Sequence, residues 1–419
     1  MKKTFLSLFL LVTFISFAQA EKRRILFLGN SYTYVNDLPN TLKNLALSLG
    51  DTIETDNYTP GGSTLQTLSA DANTLAKIQL GNWDYVVVQA QSQEPSFPPA
   101  QVATDTYPYA QIIDSMIHAI NPCAETIFYM TWGRKNGDAG NCAGYPVICT
   151  YEGMQMRLRE SYLEMTQTNN ATCSPVGVAW RTYRNAFPLV DLYQADESHP
   201  SVNGTYLAAC VFYSTIYQKS TVGATYLLAG VGNGDAADMQ NVASATVLDS
   251  IENWQQYGSL PFAKFNSAAL QNQITFTNTS LRSTLYTWDF GDGSPLENTA
   301  NAVHTYNTVG TYTVSLTTKN ACNKYSVANK TIVITSVASG VNDIDTYDNK
   351  SIYYANNLLI LKDNFRQIKI MNVSGQIVLH KELMANNKEI ECGFLPQGIY
   401  FYQAILENNK VIKGKFLAK

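Results

Sequence analysis

Up to about Gly258, short apolar runs alternate with segments in which apolar residues recur at helical spacing, and beyond about Pro261 that spacing stops. The runs are Arg24–Leu28, Thr52–Asn57, Tyr85–Gln89, Thr126–Thr131 and Val176–Trp180. Between the first two, Leu38, Leu42, Leu45 and Leu49 share a helical face and Gly50 supplies the C-terminal cap. Between the third and fourth, Ile112, Ile113, Met116, Ile117 and Ile120 do the same before Asn121-Pro122. Strands that are apolar almost throughout are buried on both faces. The alternation therefore predicts a parallel sheet between two layers of helices over residues 21–258. Ligands of such sheets bind beyond the C-terminal ends of the strands.

After Pro261, ITFTNTS, TLYTWDFGDG, AVHTY, GTYTVSLTT and KTIVITS are short alternating strands separated by turn residues, and they predict a small β-sandwich over residues 261–335. Trp288 and Tyr306 are expected in its core. Asp289 and Asp292, separated by glycine, are expected to shape a turn, since two carboxylates are too few for a calcium site. Residues 336–349 read as a Ser/Gly/Asn/Asp-rich linker. Residues 350–419 are β again, as LLILKD, QIKIMNV, IVLHKEL, GIYFYQAIL and VIKGKFLA, with turns at VSGQ and ENNK.

The first 20 residues, MKKTFLSLFLLVTFISFAQA, have a basic start, an apolar stretch too short to span a bilayer and a small-residue cleavage site. They predict a removed export signal, and no later segment predicts a transmembrane helix. A net charge of -4 leaves no basic surplus to neutralise phosphates, which argues against nucleic acid as a partner. The seven cysteines of an exported chain permit disulfides. Cys142 and Cys149 flank a short loop and could staple it. Cys123 and Cys173 each precede an apolar run and could pair across neighbouring strand starts. Cys210, in an apolar helix, is expected as a buried thiol. There is no CxxC and the four histidines are scattered, so neither a metal nor a cofactor is expected.

His118 falls within a helix, and His304 and His380 fall in the two β modules, which leaves His199 as a candidate base. Asp196 precedes it by three residues, close enough to fold back onto the imidazole Nδ1 and leave Nε2 free for a hydroxyl proton. The first strand ends at Gly29-Asn30-Ser31, the second leads to PGGST and the third to QAQSQ. Three successive strands thus deliver a serine, glycines and amides to one sheet edge. Acyl transfer needs a nucleophile and donors aimed at an oxyanion. Ser31 and Gly62 can offer backbone N–H groups, and Gln91 a side-chain amide.

These residues resemble the SGNH (GDSL-like) hydrolases: GNS at Gly29–Ser31, the second-block glycine at Gly62 and DESHP at Asp196–Pro200. The third block departs, because Gln91 stands where that family has an oxyanion asparagine; GNSYT, GGSTL, WDYVVVQAQSQEP and DESHPS are similar to a Bacteroidetes branch that uses glutamine. The resemblance implies a flavodoxin-like three-layer α/β fold and an esterase without metal. Ser31 would be the nucleophile, His199 the base and Asp196 its orienter, with Ser31, Gly62 and Gln91 as the oxyanion hole. Tyr32 and Trp132 are candidates for a wall of the acyl or sugar pocket, though core filling is as good a reading for Trp132.

WDFGDG, AVHTY and GTYTVSL resemble a PKD domain, an immunoglobulin-like sandwich. LPQGIY at Leu395–Tyr400 and the closing GKF resemble the type A sorting domain of the type IX secretion system over residues 350–419. That implies a small C-terminal β-sandwich, passage through the periplasm, contact with the secretion machinery, and release or attachment at the cell surface. The function expected is hydrolysis of O-acyl esters, acetyl above all, on polysaccharide. A lipase or short-chain esterase and an inactive surface-binding protein are the alternatives.

Overall fold

The computed structural model describes residues 22–337, 351–384 and 387–418. The expected export signal, and the expected linker apart from its first two residues, lie outside them. Five strands, β1 (Lys22–Leu28), β2 (Thr52–Tyr58), β3 (Tyr85–Val88), β4 (Glu125–Tyr129) and β5 (Thr172–Ser174), form one sheet in the order β2-β1-β3-β4-β5. Every pairing is parallel. This is the flavodoxin-like order, and the direction of winding reverses between β1 and β3.

The helices are α1 (Ser31–Tyr34), α2 (Leu38–Ser48), α3 (Leu65–Ala70), α4 (Ala72–Ile78), α5 (Pro99–Asp105), α6 (Tyr107–Ile120), α7 (Tyr151–Thr168), α8 (Val176–Ala186), α9 (Val202–Tyr217), α10 (Asn233–Leu248) and α11 (Ile251–Trp254). Because side chains alternate along a strand, each strand feeds two cores. Ile25, Phe27, Val87, Ile127 and Tyr129 pack with α2, α8, α9 and α10. Leu26, Leu28, Val86, Val88 and Phe128 pack with α3, α4, α6 and α7. The helix expected after β1 is α2, which buries Leu38, Leu42 and Leu45 and is followed by Gly50 at φ +85°.

Two expectations are corrected. The run Val176–Trp180 is not the fifth strand but the start of α8, whose Val176, Ala179, Trp180 and Tyr183 are buried at helical spacing. A five-residue window cannot separate this pattern from that of a buried strand. The strand is the preceding Thr172–Ser174, whose polar composition hid it. Nor does Cys123 pair with Cys173. The β4–β5 register sets Cys173 inside the sheet opposite Phe128, whereas Cys123 lies in the loop before β4. Cys123 is instead bonded to Cys322, 199 residues away in the β-sandwich. Cys142–Cys149 closes its loop as expected, and Cys173 and Cys210 are buried free thiols.

The first β-sandwich consists of β6 (Phe265–Leu270), β7 (Gln273–Asn278), β8 (Leu285–Asp289), β9 (Ala302–Thr305), β10 (Gly310–Lys319) and β11 (Tyr325–Ile334), in sheets β6-β7-β9 and β11-β10-β8. Trp288 and Tyr306 are fully buried, and Trp288 lies 5.0 Å from the Phe265 ring. This module packs directly on the α/β domain: Lys324 Nζ donates to the Asp84 carbonyl (2.7 Å), Arg282 Nε to that of Leu260 (2.7 Å) and Asn320 Nδ2 to that of Ser259 (2.9 Å). All three carbonyls lie away from the C-terminal strand ends.

Asp289 and Asp292 accept backbone N–H bonds from Gly291 (2.9 Å) and Ser294 (3.1 Å), which makes them turn residues. Asp292 also bonds His304 Nε2 at 2.7 Å. Burial pushes its carboxyl up, but hydrogen bonds from Ser294 and His304 outweigh this and hold it at about 2. A carboxylate depressed from an unfolded value of about 3.9 adds stability above that pH and loses it as pH falls toward about 2. Asp292→Asn should therefore flatten the fall of Tm between about pH 4 and pH 2 and cost about 0.2–1 kcal/mol at neutral pH, read by calorimetry.

The C-terminal unit has strands β12 (Ile352–Ala355), β13 (Leu358–Leu361), β14 (Phe365–Met371), β15 (Ile377–Glu382), β16 (Glu389–Glu391), β17 (Gly398–Leu406) and β18 (Val411–Ala418). They form sheets β12-β13-β16 and β15-β14-β17-β18 around Leu359, Leu361, Ile368, Ile370, Ala404 and Phe416. The VSGQ turn holds Gly375 at φ +78°, and the ENNK turn holds Asn409 at φ +67°. No helix among the described residues is long and apolar enough to cross a membrane.

Candidate active site

At the end of β1 the chain meets the side chain of Gln89, which leaves the end of β3 and is fully buried. Gln89 Oε1 accepts from the Asn30 N–H (2.9 Å) and from Thr33 Oγ1 (3.0 Å), while its Nε2 donates to Asn30 Oδ1 (2.8 Å). This explains Gly29, because a Cβ there would lie 2.6 Å from Gln89 Oε1. Asn30 in turn caps α1 by accepting from the Tyr32 N–H, and its Nδ2 donates to the Ser63 carbonyl (3.0 Å). One glutamine and one asparagine thus lock the ends of β1, β2 and β3 together around Ser31. Gln89→Leu would strand the polar groups of Asn30 and should cost about 1–3 kcal/mol of stability, measured by chemical denaturation.

His199 arrives from the other side of the same edge, on the turn before α9. Its Nε2 lies 2.8 Å from Ser31 Oγ. Its Nδ1 is bonded to Asp196 Oδ2, and Asp196 Oδ1 accepts the N–H groups of Ser198 (3.1 Å) and His199 (3.0 Å). Burial raises the Asp196 pKa, but the hydrogen bonds from His199 and from the two backbone N–H groups overcome this and leave it below the ordinary carboxylate value. Asp196 is therefore charged throughout the neutral range. The turn is pinned at both ends: the Gln194 N–H donates to the His199 carbonyl (2.8 Å), and Ser201 caps α9 through the Gly204 N–H. The site is open, with the His199 side chain 33% and that of Asp196 46% exposed.

Gly62 follows β2 at φ +73°, a left-handed conformation that glycine adopts without strain. Among the described residues, neither the Ser31 nor the Gly62 backbone N–H has a hydrogen-bond acceptor. Gln91 is more constrained than a free donor. Its Oε1 accepts from the N–H groups of Gln93 (2.7 Å) and Glu94 (3.2 Å), and its Nε2 donates to Gln93 Oε1 (3.3 Å). Gln93 is anchored in turn on the buried Asp138 (2.7 Å).

Tyr32 and Trp132 do not line a pocket wall. They are 2% and 0% exposed and stack on each other at 4.7 Å, with Trp180 stacked on Trp132 at 3.8 Å. Consecutive residues of a helix diverge by about 100°, so with Ser31 at the edge, Tyr32 turns into the core. The sequence reading missed Gln89, Asn30 and Ser198 as parts of the site. The available signal was a glutamine closing a run of buried valines, since a buried amide must find partners.

The fold and the site together define an α/β domain carrying a serine, a histidine and a carboxylate in hydrogen-bonded series at the C-terminal edge of a parallel sheet. Comparison with known proteins places the modules that follow. Residues 264–335 match the family model described as PKD domain, and residues 348–419 match that described as secretion system C-terminal sorting domain. The sorting domain marks the chain for the secretion machinery and for the cell surface or beyond.

No curated protein matches the chain. Among solved structures, a DUF4886 family protein from Bacteroides uniformis is similar at 16% identity, covering 54% of this chain and 95% of that one, with a TM-score of 0.48. A candidate SGNH hydrolase from Slackia heliotrinireducens is similar at 27% identity, covering 46% and 97%, with a TM-score of 0.37. The PKD1 domain of Vibrio anguillarum Epp is similar at 25% identity, covering 18% and 93%, with a TM-score of 0.17.

Proposed function

We propose that the α/β domain is a serine ester hydrolase that removes O-acyl groups, acetyl above all, from polysaccharide outside the cell. The observation that carries this reading is the hydrogen-bonded series Ser31–His199–Asp196. In the first step Ser31 Oγ attacks the ester carbonyl and its proton passes to His199 Nε2. The oxyanion is met by the N–H groups of Ser31 and Gly62 and by the Gln91 amide. His199 then returns the proton to the departing alcohol oxygen, which leaves an acyl-serine. A water molecule, losing its proton to His199, releases the acid and restores Ser31. Asp196 holds the Nδ1–H tautomer and balances the imidazolium charge. The exposure of the series suits an ester carried on a bulky chain, and delivery to the cell surface brings it to such polymers.

A second reading, a binding protein without turnover, draws on the engagement of the Gln91 amide within its own loop. Turnover of p-nitrophenyl acetate by the wild type but not by Ser31→Ala supports the enzyme, whereas equal turnover in both, or none in either, defeats it. Acetate release from acetylated xylan or pectin exceeding acid release from tributyrin supports the polysaccharide ester, and the reverse order makes the protein a lipase.

A further inference from the structure

Two adjacent pairs of residues face each other across the site. Ser31 and Tyr32 open α1, and Ser198 and His199 end the turn before α9. They are joined by two hydrogen bonds, Ser31 Oγ to His199 Nε2 at 2.8 Å and the Tyr32 hydroxyl to Ser198 Oγ at 2.7 Å. The result is a closed ring in which the nucleophile and the base are each one peptide away from a second, buried bond between the same two segments. We propose that the Tyr32–Ser198 bond positions the His199 imidazole on Ser31, so that Tyr32 and Ser198 are positioning residues for the reaction proposed above, on which this inference rests.

Four observations support that role. Ser198 is 9% exposed and Tyr32 2%, so their bond does not compete with solvent. The Tyr32 ring also meets the His199 ring edge-on at 5.6 Å. It cannot tilt freely, because it lies in a stack of three rings, Tyr32–Trp132–Trp180, with interplanar angles of 3° and 6°. The middle ring holds the same turn independently, since Trp132 Nε1 donates to the Ser198 carbonyl at 3.1 Å. A flat, buried aromatic bed thus holds the one turn that must stay in register with Ser31. Serine reactivity depends on that register, because small displacements of a base cost large factors in rate.

The test compares the full chain with Tyr32→Phe, Ser198→Ala, the double variant and Ser31→Ala on p-nitrophenyl acetate. Both single variants should lose about tenfold in kcat with KM within about twofold, and the double variant should fall no further than either single one, since all three break the same bond. Ser198→Thr, which keeps a hydroxyl, should recover most of the rate. Unchanged kcat in both single variants, or losses that multiply in the double variant, overturns the proposal. A second readout needs no turnover: with 15N-labelled histidine, the low-field Nδ1 proton of His199 should shift or broaden in Tyr32→Phe and Ser198→Ala. An unaltered signal in both overturns the positioning role. Turnover that persists in Ser31→Ala defeats the esterase itself, a failure distinct from wild-type kinetics in both Tyr32→Phe and Ser198→Ala.

Discussion

Replacing Ser31 by alanine should lower kcat/KM for p-nitrophenyl acetate by about 10⁴–10⁶-fold while leaving thermal unfolding close to that of the wild type. The size of the effect follows from what the hydroxyl does. In the mechanism proposed it forms the acyl bond, and without it the histidine and the oxyanion donors could assist only a water molecule. The fold should survive because, among the described residues, Ser31 Oγ bonds only the half-exposed His199, whereas the local structure is held by Asn30 and Gln89. Asp196→Asn should leave the site assembled and lose about 10⁴-fold, since an amide no longer fixes the tautomer that leaves Nε2 free to accept. A modest loss in both variants would mean that the hydrolysis occurs elsewhere.

Removal of the Cys123–Cys322 bond should give the second large effect, this time on stability. The bridge closes a loop of 199 residues and ties the first β-sandwich to the α/β domain. By loop-closure entropy alone, a link of that span is worth up to about 5 kcal/mol. The double variant Cys123→Ser/Cys322→Ser should therefore unfold at lower denaturant, with the α/β domain and the sandwich separating into two transitions. Turnover of p-nitrophenyl acetate under native conditions should be retained, because the bridge lies in the loop before β4 and the Ser31–His199–Asp196 series lies at the opposite ends of the strands. A single unshifted transition would show that the polar contacts of Lys324, Arg282 and Asn320 suffice to hold the two together.

Much of this architecture was legible because its signals are local. Apolar runs at Arg24–Leu28 and Tyr85–Gln89 read as strands, and DESHP read as a turn that folds a carboxylate onto a histidine. What stayed hidden depends on register or on partners distant in sequence. The fifth strand is three residues of polar character, and the apolar run beside it carries a helix. Cys123 and Cys173 both precede apolar runs, yet Cys173 lies within the sheet and Cys123 in a loop outside it, and the partner of Cys123 lies in another module. Tyr32 looked like a pocket residue because it follows Ser31, but one helical step turns it inward. Gln89 read as a strand end, and only the structure shows its amide holding three loops together.

The proposed hydrolysis requires an activated hydroxyl at Ser31, and covalent trapping of that atom measures it most directly. Incubation with a fluorophosphonate, followed by peptide mass spectrometry, should find one adduct, on Ser31, formed rapidly in the wild type and slowed at least a hundredfold by His199→Ala. No adduct, an adduct on another residue, or labelling of Ser31 at the same rate without His199 would contradict it.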